Sequence, residues 1–197
     1  MCVVDPDFPG VVFWDAPFQQ SISSTGANIQ LSDIGISIHV PEQALSPAEG
    51  NVDLLIRPCF SGPFELPAGY ESASPAYLIK PSRKVEFQKD VTLKIHHYAN
   101  LQSEEDCAEM AFLSASTAPQ QRKSGLVYIF REIKESIKGV FSPTNSIGEV
   151  SLRHFCHIKI GRKRKREHEA ASEPCKSMIR CDGDDDDDSM IFFRACC

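Results

Sequence analysis

Three neighbouring residues, His154, Phe155 and Cys156, bring together side chains that covalent chemistry requires. A thiol is a nucleophile, and an imidazole beside it can act as a base or hold it in position. A cysteine suits this role because its thiolate attacks carbonyl carbon more readily than a hydroxyl does. The same residues also have a purely structural interpretation, in which Phe155 packs into a core where a strand ends.

Nearby histidines and cysteines also contain the ligand atoms that zinc prefers. The set comprises His154, Cys156, His157, Cys175 and Cys181. Its spacing matches no established zinc finger, and adjacent residues of a strand point to opposite faces of a sheet. We therefore predict no metal and no other cofactor. The same alternation predicts that His96 and His97 are structural histidines, one facing the core and the other facing solvent.

Charged residues are concentrated in the last part of the chain. A basic run comprises Arg162, Lys163, Arg164, Lys165 and Arg166. This run matches a nuclear-import signal or a polyanion-binding patch, and the alternative is a solvated linker that pairs with the aspartates of 184–188. Those aspartates lack the alternation and the glycine of a calcium loop. The final Cys196 and Cys197 resemble a double-prenylation end, and an artificially ended reading frame would look the same.

The length and composition of the chain are those of an ordinary soluble domain with tails. The chain has 197 residues, 42% of them hydrophobic and 24% charged, and a formal net charge of −6. This charge gives no reason to expect nucleic acid as a partner, and no apolar run approaches the length of a membrane span. The N-terminus lacks the basic and apolar regions of a signal peptide. The eight cysteines are irregularly spaced, which favours reduced thiols and a cytoplasmic location, with the nucleus as the alternative.

The elements that position these residues are predicted to be β-strands. Val91, Leu93 and Ile95 alternate with polar residues, and this period of two makes one sheet face apolar and the other wet. Pro75 and Pro81 bound an apolar run between them, as expected at strand ends because proline cannot donate to a ladder. The stretch from Ser72 to Ala99 therefore predicts an antiparallel β-unit.

Similar short strands recur at regular intervals, which is typical of a sandwich. We predict an all-β fold, an antiparallel β-sandwich of about eight to ten short strands with a disordered or partly ordered charged C-terminal tail. The predicted organisation is an extension with one weak strand over 1–25, the sandwich over 26–160, and a basic and acidic tail over 161–197. That tail is too short to form a core of its own.

Two ordered blocks of this sequence resemble a known family. The first is the strand Gly35 to Val40 followed by Pro41-Glu42-Gln43-Ala44-Leu45, and the second contains Ser74-Pro75, Pro81, Phe87, Lys89, Val91-Thr92-Leu93, Ile95 and His97. Together they are similar to the signature of the ZU-five domain, the β-sandwich module of ankyrins, zonula occludens proteins, netrin receptors and death-domain adaptors. Gln43 stands where the family usually has glycine, and Asp90 stands where it usually has proline.

The resemblance implies a non-enzymatic protein-interaction module in a cytoplasmic adaptor, scaffold or signalling protein. Relatives bind spectrin through a basic surface, or pack against neighbouring domains and hold signalling in check. The matching candidate surface in this chain comprises Lys80, Arg83, Lys84, Lys89 and Lys94. The expected partners are therefore other proteins, spectrin-like or signalling, or domains of the same polypeptide. The resemblance further implies that the tail over 161–197 is the stub of a second module.

The resemblance also gives His154, Phe155 and Cys156 a specific role. In relatives that cleave themselves, a similarly placed His-Phe-Ser sequence marks the bond that is cut. In this chain, Cys156 would attack the carbonyl of Phe155 with His154 as base or orienting group, and water would hydrolyse the resulting thioester. A self-cleaving switch and a nuclear factor directed by residues 162–166 are thus the alternatives to a simple binding module. No sequence motif of another enzyme class appears.

Overall fold

The chain folds into antiparallel β-sheets, and this confirms the predicted all-β class. A computed structural model describes residues 2–14, 17–133 and 139–164. Within them, sixteen strands occur, and ten of these contain five residues or more. The strands are β1 (Cys2–Val4), β2 (Val12–Trp14), β3 (Phe18–Ile22), β4 (Ala27–Leu31), β5 (Ile36–Val40), β6 (Val52–Ser61), β7 (Phe64–Glu65), β8 (Tyr70–Ser72), β9 (Ala76–Pro81), β10 (Val91–His96), β11 (Met110–Ala115), β12 (Gln120–Arg122), β13 (Gly125–Ile129), β14 (Arg131–Glu132), β15 (Ile147–Leu152) and β16 (His157–Lys163).

A four-stranded sheet in the order β15-β10-β5-β4 forms one layer of the sandwich. Its central strand β10 has Val91, Leu93 and Ile95 fully buried, and Lys94 and His96 exposed. Leu93 lies opposite Ile38 of β5 and opposite Val150 of β15. The predicted alternation is therefore confirmed, and the period of two in the sequence directs every second side chain of β10 into the core.

The second layer is a larger sheet whose main path runs β1-β2-β6-β9-β16-β11-β14. Its central strands are apolar nearly throughout rather than alternating, as Ala76–Pro81 of β9 illustrates with four consecutive buried residues. A strand of this kind is covered on both of its faces. One face packs against the four-stranded sheet, and the shared core includes Leu54, Ile56 and Ile79. Burying each such side chain stabilises the fold by roughly 1.5 to 3 kcal/mol.

A third layer covers the other face of the large sheet. It consists of the N-terminal segment and of a small sheet in the order β12-β13-β7, in which β13 and β7 are parallel. A second core fills the space beneath it and contains Phe8, Phe13, Tyr128 and Phe130. The N-terminal residues are thus part of the packed structure, because Phe8 and Phe13 close this core with rings 5.7 Å apart.

One short helix, α1 (Glu104–Ala108), precedes β11. The hydroxyl of Ser103 accepts a hydrogen bond from the amide of Asp106 at 3.2 Å, which caps the first turn. The Asp106 carboxylate in turn accepts from the guanidinium of Arg162 at 2.9 Å. The helix therefore attaches to β16 through an ion pair.

The last strand contains the predicted domain boundary. β16 continues from His157 to Lys163, and Gly161 and Arg162 pair with both β8 and β11. The predictions for Cys175, Cys181, the aspartates of 184–188 and the pair Cys196-Cys197 lie outside the described residues. In the described part of the chain, no helix is long and apolar enough to cross a membrane.

Candidate functional site

The sheet opens where the ladder of β16 passes from one neighbouring strand to another. His157 and Ile158 pair with β9, whereas Gly161 pairs with β8. Pro75 lies at the change-over and has no N–H with which to extend the β9 ladder. The side chain of Ser74 supplies a hydrogen bond to β16 at this point, because its hydroxyl accepts from the amide of Ile160 at 2.8 Å. The same hydroxyl donates to the carbonyl of Pro75 at 2.8 Å.

A pocket of about 580 Å³ lies at this opening. That volume is within the range of natural ligand sites, which are about 300 to 1,000 Å³. The residues that line it come from β2, β6, β7, β8, β9 and β16, from the 3-10 turn Ser32–Ile34 and from two loops. They are Trp14, Asp33, Ile34, Pro58, Cys59, Phe60, Phe64, Ser72, Ser74, Pro75, Ala76, Tyr98 and Lys159.

Three exposed aromatic side chains form what we call the aromatic rim of this pocket, Trp14, Phe60 and Tyr98. Their side chains are 54%, 60% and 67% exposed. The rings of Trp14 and Phe60 lie 5.7 Å apart, and the hydroxyl of Tyr98 donates to the carbonyl of Ser72 at 2.7 Å. Large apolar side chains grouped in this way at a pocket mark binding sites, since isolated ones are scattered over most protein surfaces.

The inner wall of the pocket carries two ionisable side chains, Lys159 and Cys59. Lys159 is only 7% exposed, and its ammonium lies 5.7 Å from the centre of the Phe130 ring. Burial lowers the pKa of Lys159 and raises the pKa of the Cys59 thiol to about 12. The thiol is therefore a small apolar wall residue, whereas Lys159 adds a partly dehydrated cationic side chain to the lining of the pocket.

The residues predicted for self-cleavage lie in the connection between β15 and β16. His154 is exposed, Phe155 is half-buried, and its ring meets the Phe87 ring edge-on at 5.4 Å. The carbonyl of Cys156 accepts from the amide of Ile79 at 3.1 Å. Phe155 therefore occupies the core position that the structural interpretation requires.

The chemistry of Cys156 is set by its burial. Desolvation raises the pKa of this thiol to about 11, although the backbone at Ala115 and the hydroxyl of Ser114 work in the opposite direction. Little thiolate is present at neutral pH, and the thiolate is the attacking species. In the described residues, Gln43 is the one non-glycine position with positive φ, so no such strain lies at the Phe155–Cys156 bond.

His157 packs among aromatic rings on the inner side of β16. It is fully buried, its Nδ1 lies 3.2 Å from the carbonyl of Ser116, and its ring contacts Tyr128 at 4.9 Å between centroids. The part of the chain that the structure describes contains no group of three or more residues arranged to hold a metal ion. Of the other histidine pair, His97 is buried and His96 is exposed, as the strand alternation predicts.

The five residues of the predicted basic surface are exposed, and most already have a partner. Arg83 pairs with the carboxylate of Glu49, and Lys94 pairs with Glu149 at 3.0 Å. The ammonium of Lys89 donates to the carbonyl of Glu42 at 2.8 Å, and that of Lys80 lies 5.4 Å from the Phe8 ring. Lys84 is exposed in the loop after β9. Acidic residues are thus interspersed among these basic ones.

The basic run begins inside the sheet. Arg162 binds Glu109 at 3.1 Å in addition to its pair with Asp106, and Lys163 lies 3.8 Å from Glu132. The amide of Arg164 donates to the carbonyl of Gly69 at 2.8 Å. Lys165 and Arg166 lie outside the described residues. An import receptor that binds all five side chains would therefore compete with contacts that stabilise β16.

The pocket is not predictable from the sequence. Its lining residues are separated by up to 145 positions, from Trp14 to Lys159, and no periodic pattern connects them. One signal was present, because Lys159 lies between Ile158 and Ile160 in the last apolar strand, where a charged residue is unusual if both faces are covered.

The comparisons with known proteins agree with this fold. The family model described as the ZU5 domain matches residues 18–111, which extend from the start of β3 into β11. No curated protein matches the chain. Phe60 and Tyr98 of the aromatic rim lie in the matched range, and Trp14 and Lys159 lie outside it.

Proposed function

Residues 18–111 belong to the ZU5 domain family, a family of protein-interaction modules, and from this premise we propose that the chain is the non-enzymatic docking module of a cytoplasmic adaptor, scaffold or signalling protein. A partner protein binds at the aromatic rim and its pocket. The observation that carries this proposal is the grouping of Trp14, Phe60 and Tyr98 around one concave site.

Aromatic residues at a protein surface are suited to this role. They provide large apolar contact area with few rotatable bonds, and the residues that dominate binding energy are enriched in tryptophan and tyrosine. The rings of Trp14 and Phe60 are already in contact, so part of the ordering cost of binding is met before a partner arrives.

The basic surface of Lys80, Arg83, Lys84, Lys89 and Lys94 is the competing docking site. Its ion pairs with Glu49 and Glu149 would have to exchange for contacts with an acidic partner such as a spectrin-like repeat. Exposed ion pairs contribute only about 0 to 1 kcal/mol, so such an exchange changes the binding energy little. Contacts at the aromatic rim would instead bury apolar area, which contributes more to binding than such an exchange, and we therefore favour the rim.

Two further functions remain proposals with direct tests. Self-cleavage between Phe155 and Cys156 would divide the purified chain into two fragments. Nuclear entry would be favoured if a fluorescent fusion of the full chain accumulates in the nucleus and loses this location on Lys165→Ala and Arg166→Ala substitution. We rank both below docking, because burial raises the pKa of Cys156 to about 11 and Arg162 is engaged in ion pairs.

The experiment is a quantitative affinity capture that compares two forms of the full chain. The wild type and the Trp14→Ser, Phe60→Ser double variant are immobilised at equal density, and bound proteins are measured by mass spectrometry. The proposal expects a defined set of proteins that the wild type retains and the double variant loses. Leu126→Ser serves as a matched control, since Leu126 is an exposed apolar residue that does not line the pocket.

A set retained equally by the wild type and the rim variant would contradict the aromatic rim as the docking site. Circular dichroism and thermal unfolding of each variant ensure that the comparison is made between folded proteins. If the Arg83→Glu, Lys94→Glu variant loses the set instead, the basic surface is the docking site.

A further inference from the structure

Two cationic side chains are buried between the large sheet and the third layer, and they differ in whether a carboxylate pairs with them. Arg57 is 5% exposed, stacks on the Phe13 ring at 3.9 Å, and forms an ion pair with Asp5 of the N-terminal segment. Lys159 is buried to a similar degree, and no carboxylate of the described residues lies within ion-pair distance of it. Among the described residues, a carboxylate therefore pairs with one of these buried cations and none pairs with the other.

A buried cation without a counter-ion destabilises a protein, and a fold retains one only when other effects offset that cost. The contact with the Phe130 ring offsets a part of it, since a cation over an aromatic face is attracted by about 0.5 to 2 kcal/mol. Lys159 also lines the pocket, so an anion can reach it from solvent without opening the fold.

One acidic residue, Asp33, lines the pocket and affects which ligand charge the pocket favours. Asp33 lies in the short 3-10 turn Ser32–Ile34 and is exposed, so water screens its charge. The charge of Lys159 is screened much less because the side chain is buried. The pocket therefore favours an anionic ligand over a cationic one, even though the aromatic rim alone would also suit a cation.

The apolar and cationic parts of the site together describe one ligand. We propose that the pocket binds a segment of a partner protein in which a glutamate or aspartate side chain is adjacent to aromatic or aliphatic residues. The carboxylate pairs with the ammonium of Lys159, and the neighbouring apolar side chains pack on Trp14, Phe60 and Tyr98. This inference rests on the proposed docking function and assigns it the chemistry of the partner.

The test uses the intrinsic fluorescence of the full chain, because Trp14 is its single tryptophan and lies at the rim of the pocket. The probes are acetylated and amidated pentapeptides of sequence Gly-Glu-Phe-Leu-Gly and Gly-Gln-Phe-Leu-Gly, which differ only in the carboxylate. We expect the glutamate peptide to change the Trp14 emission saturably and to bind at least about tenfold more tightly than the glutamine peptide. A hydrogen bond to a buried charge accounts for such a factor.

Lys159→Met provides the matched variant, since methionine is close to lysine in length, has no charge, and suits a buried position. Replacing a buried ion with an apolar residue is often neutral or stabilising, so this variant is expected to fold, and its thermal unfolding is measured alongside. In Lys159→Met, the two peptides should bind equally. Lys84→Met, which removes an exposed lysine outside the pocket, should retain the tenfold discrimination.

Three results would overturn the inference: no saturable change in Trp14 emission with either peptide, equal affinity of the two peptides for the wild type, or undiminished discrimination in Lys159→Met. A failure here is distinguishable from failure of the docking function. If affinity capture still depends on Trp14 and Phe60, the partner binds at the aromatic rim without using an acidic side chain.

Discussion

The hydroxyl oxygen of Ser74 lies 2.8 Å from the amide nitrogen of Ile160, 86 positions further along the chain. This one side-chain contact continues a β-ladder across the point where Pro75 interrupts it. The neighbouring backbone supports it, since the amide of Ala73 donates to the carbonyl of Ile160 at 2.9 Å. The same break in the ladder creates the pocket, so the Ser-Pro pair of the family signature connects the fold to the candidate docking site.

Substitution of Ser74 by alanine should destabilise the protein. The variant leaves the buried amide of Ile160 without an acceptor, and an unsatisfied buried group costs about 1 to 3 kcal/mol. Urea unfolding followed by circular dichroism measures the change in the free energy of unfolding. Ser151→Ala, on the outer face of β15, should change it by less than about 0.5 kcal/mol. Equal effects of the two substitutions would show that the Ser74 contact does not stabilise the fold.

Replacing Gln43 by glycine should stabilise the protein. Gln43 has φ +61° and occupies the third position of a turn that the amide of Ala44 closes on the carbonyl of Pro41 at 3.1 Å. A side chain there is strained, and glycine relieves that strain, with an expected net gain of about 0.5 to 1 kcal/mol. The control is Gln30→Gly in the extended strand β4, where glycine should cost about as much. A loss of stability in Gln43→Gly would contradict the conformation described for this turn.

The stability of the protein should decrease as the pH falls below the usual pKa of a histidine side chain. Burial lowers the pKa of His157 from the usual 6.5, so the unfolded chain takes up a proton before the folded one does. The stability is therefore complete above about pH 6.5 and decreases on acidification, by at most about 1.4 kcal/mol per pH unit for one proton.

His157→Phe tests the origin of this pH dependence. A phenyl ring can occupy the space beside Tyr128, Phe8 and Phe64 and does not titrate. We expect a shallower decrease of the urea midpoint between about pH 7 and pH 5 in the variant. Part of the decrease should remain, because burial also lowers the pKa of His97. An unchanged slope would mean that His157 is not the group that titrates.

The purified chain should remain intact, because the Cys156 thiol is mostly protonated at neutral pH. Mass spectrometry after prolonged incubation is expected to give a single species for the wild type, as for Cys156→Ala. Two fragments separated at Phe155–Cys156 in the wild type, and absent from Cys156→Ala, would establish self-cleavage instead.

The sequence predicts the sandwich well, because short-range periodicity determines which side chains of a strand face the core. Val91, Leu93 and Ile95 illustrate this, and the family signature adds Ser74 and Pro75. One local departure from the family pattern, Gln43 in place of glycine, coincides with a positive φ. Local patterns of this kind are visible in any single sequence.

Features that depend on distant segments were not predictable in the same way. Periodicity does not reveal that Phe8 and Phe13 help to close a second core, because their burial depends on strands more than a hundred residues away. Hydrophobic periodicity does not predict the five-residue helix α1 either, although Ser103 and Asp106 have the spacing of a helix cap. The pocket combines residues from six strands, and only the three-dimensional fold brings Trp14 next to Phe60.

Hydrogen–deuterium exchange of the full chain, with and without a captured partner, tests the docking site most directly. We expect slower exchange in the peptides that contain Trp14, Phe60, Ser74–Ala76 and Tyr98, and unchanged exchange on the outer face of the four-stranded sheet around Lys94. Protection centred on Lys94 and Arg83, with exchange around the aromatic rim unaltered, would contradict this expectation.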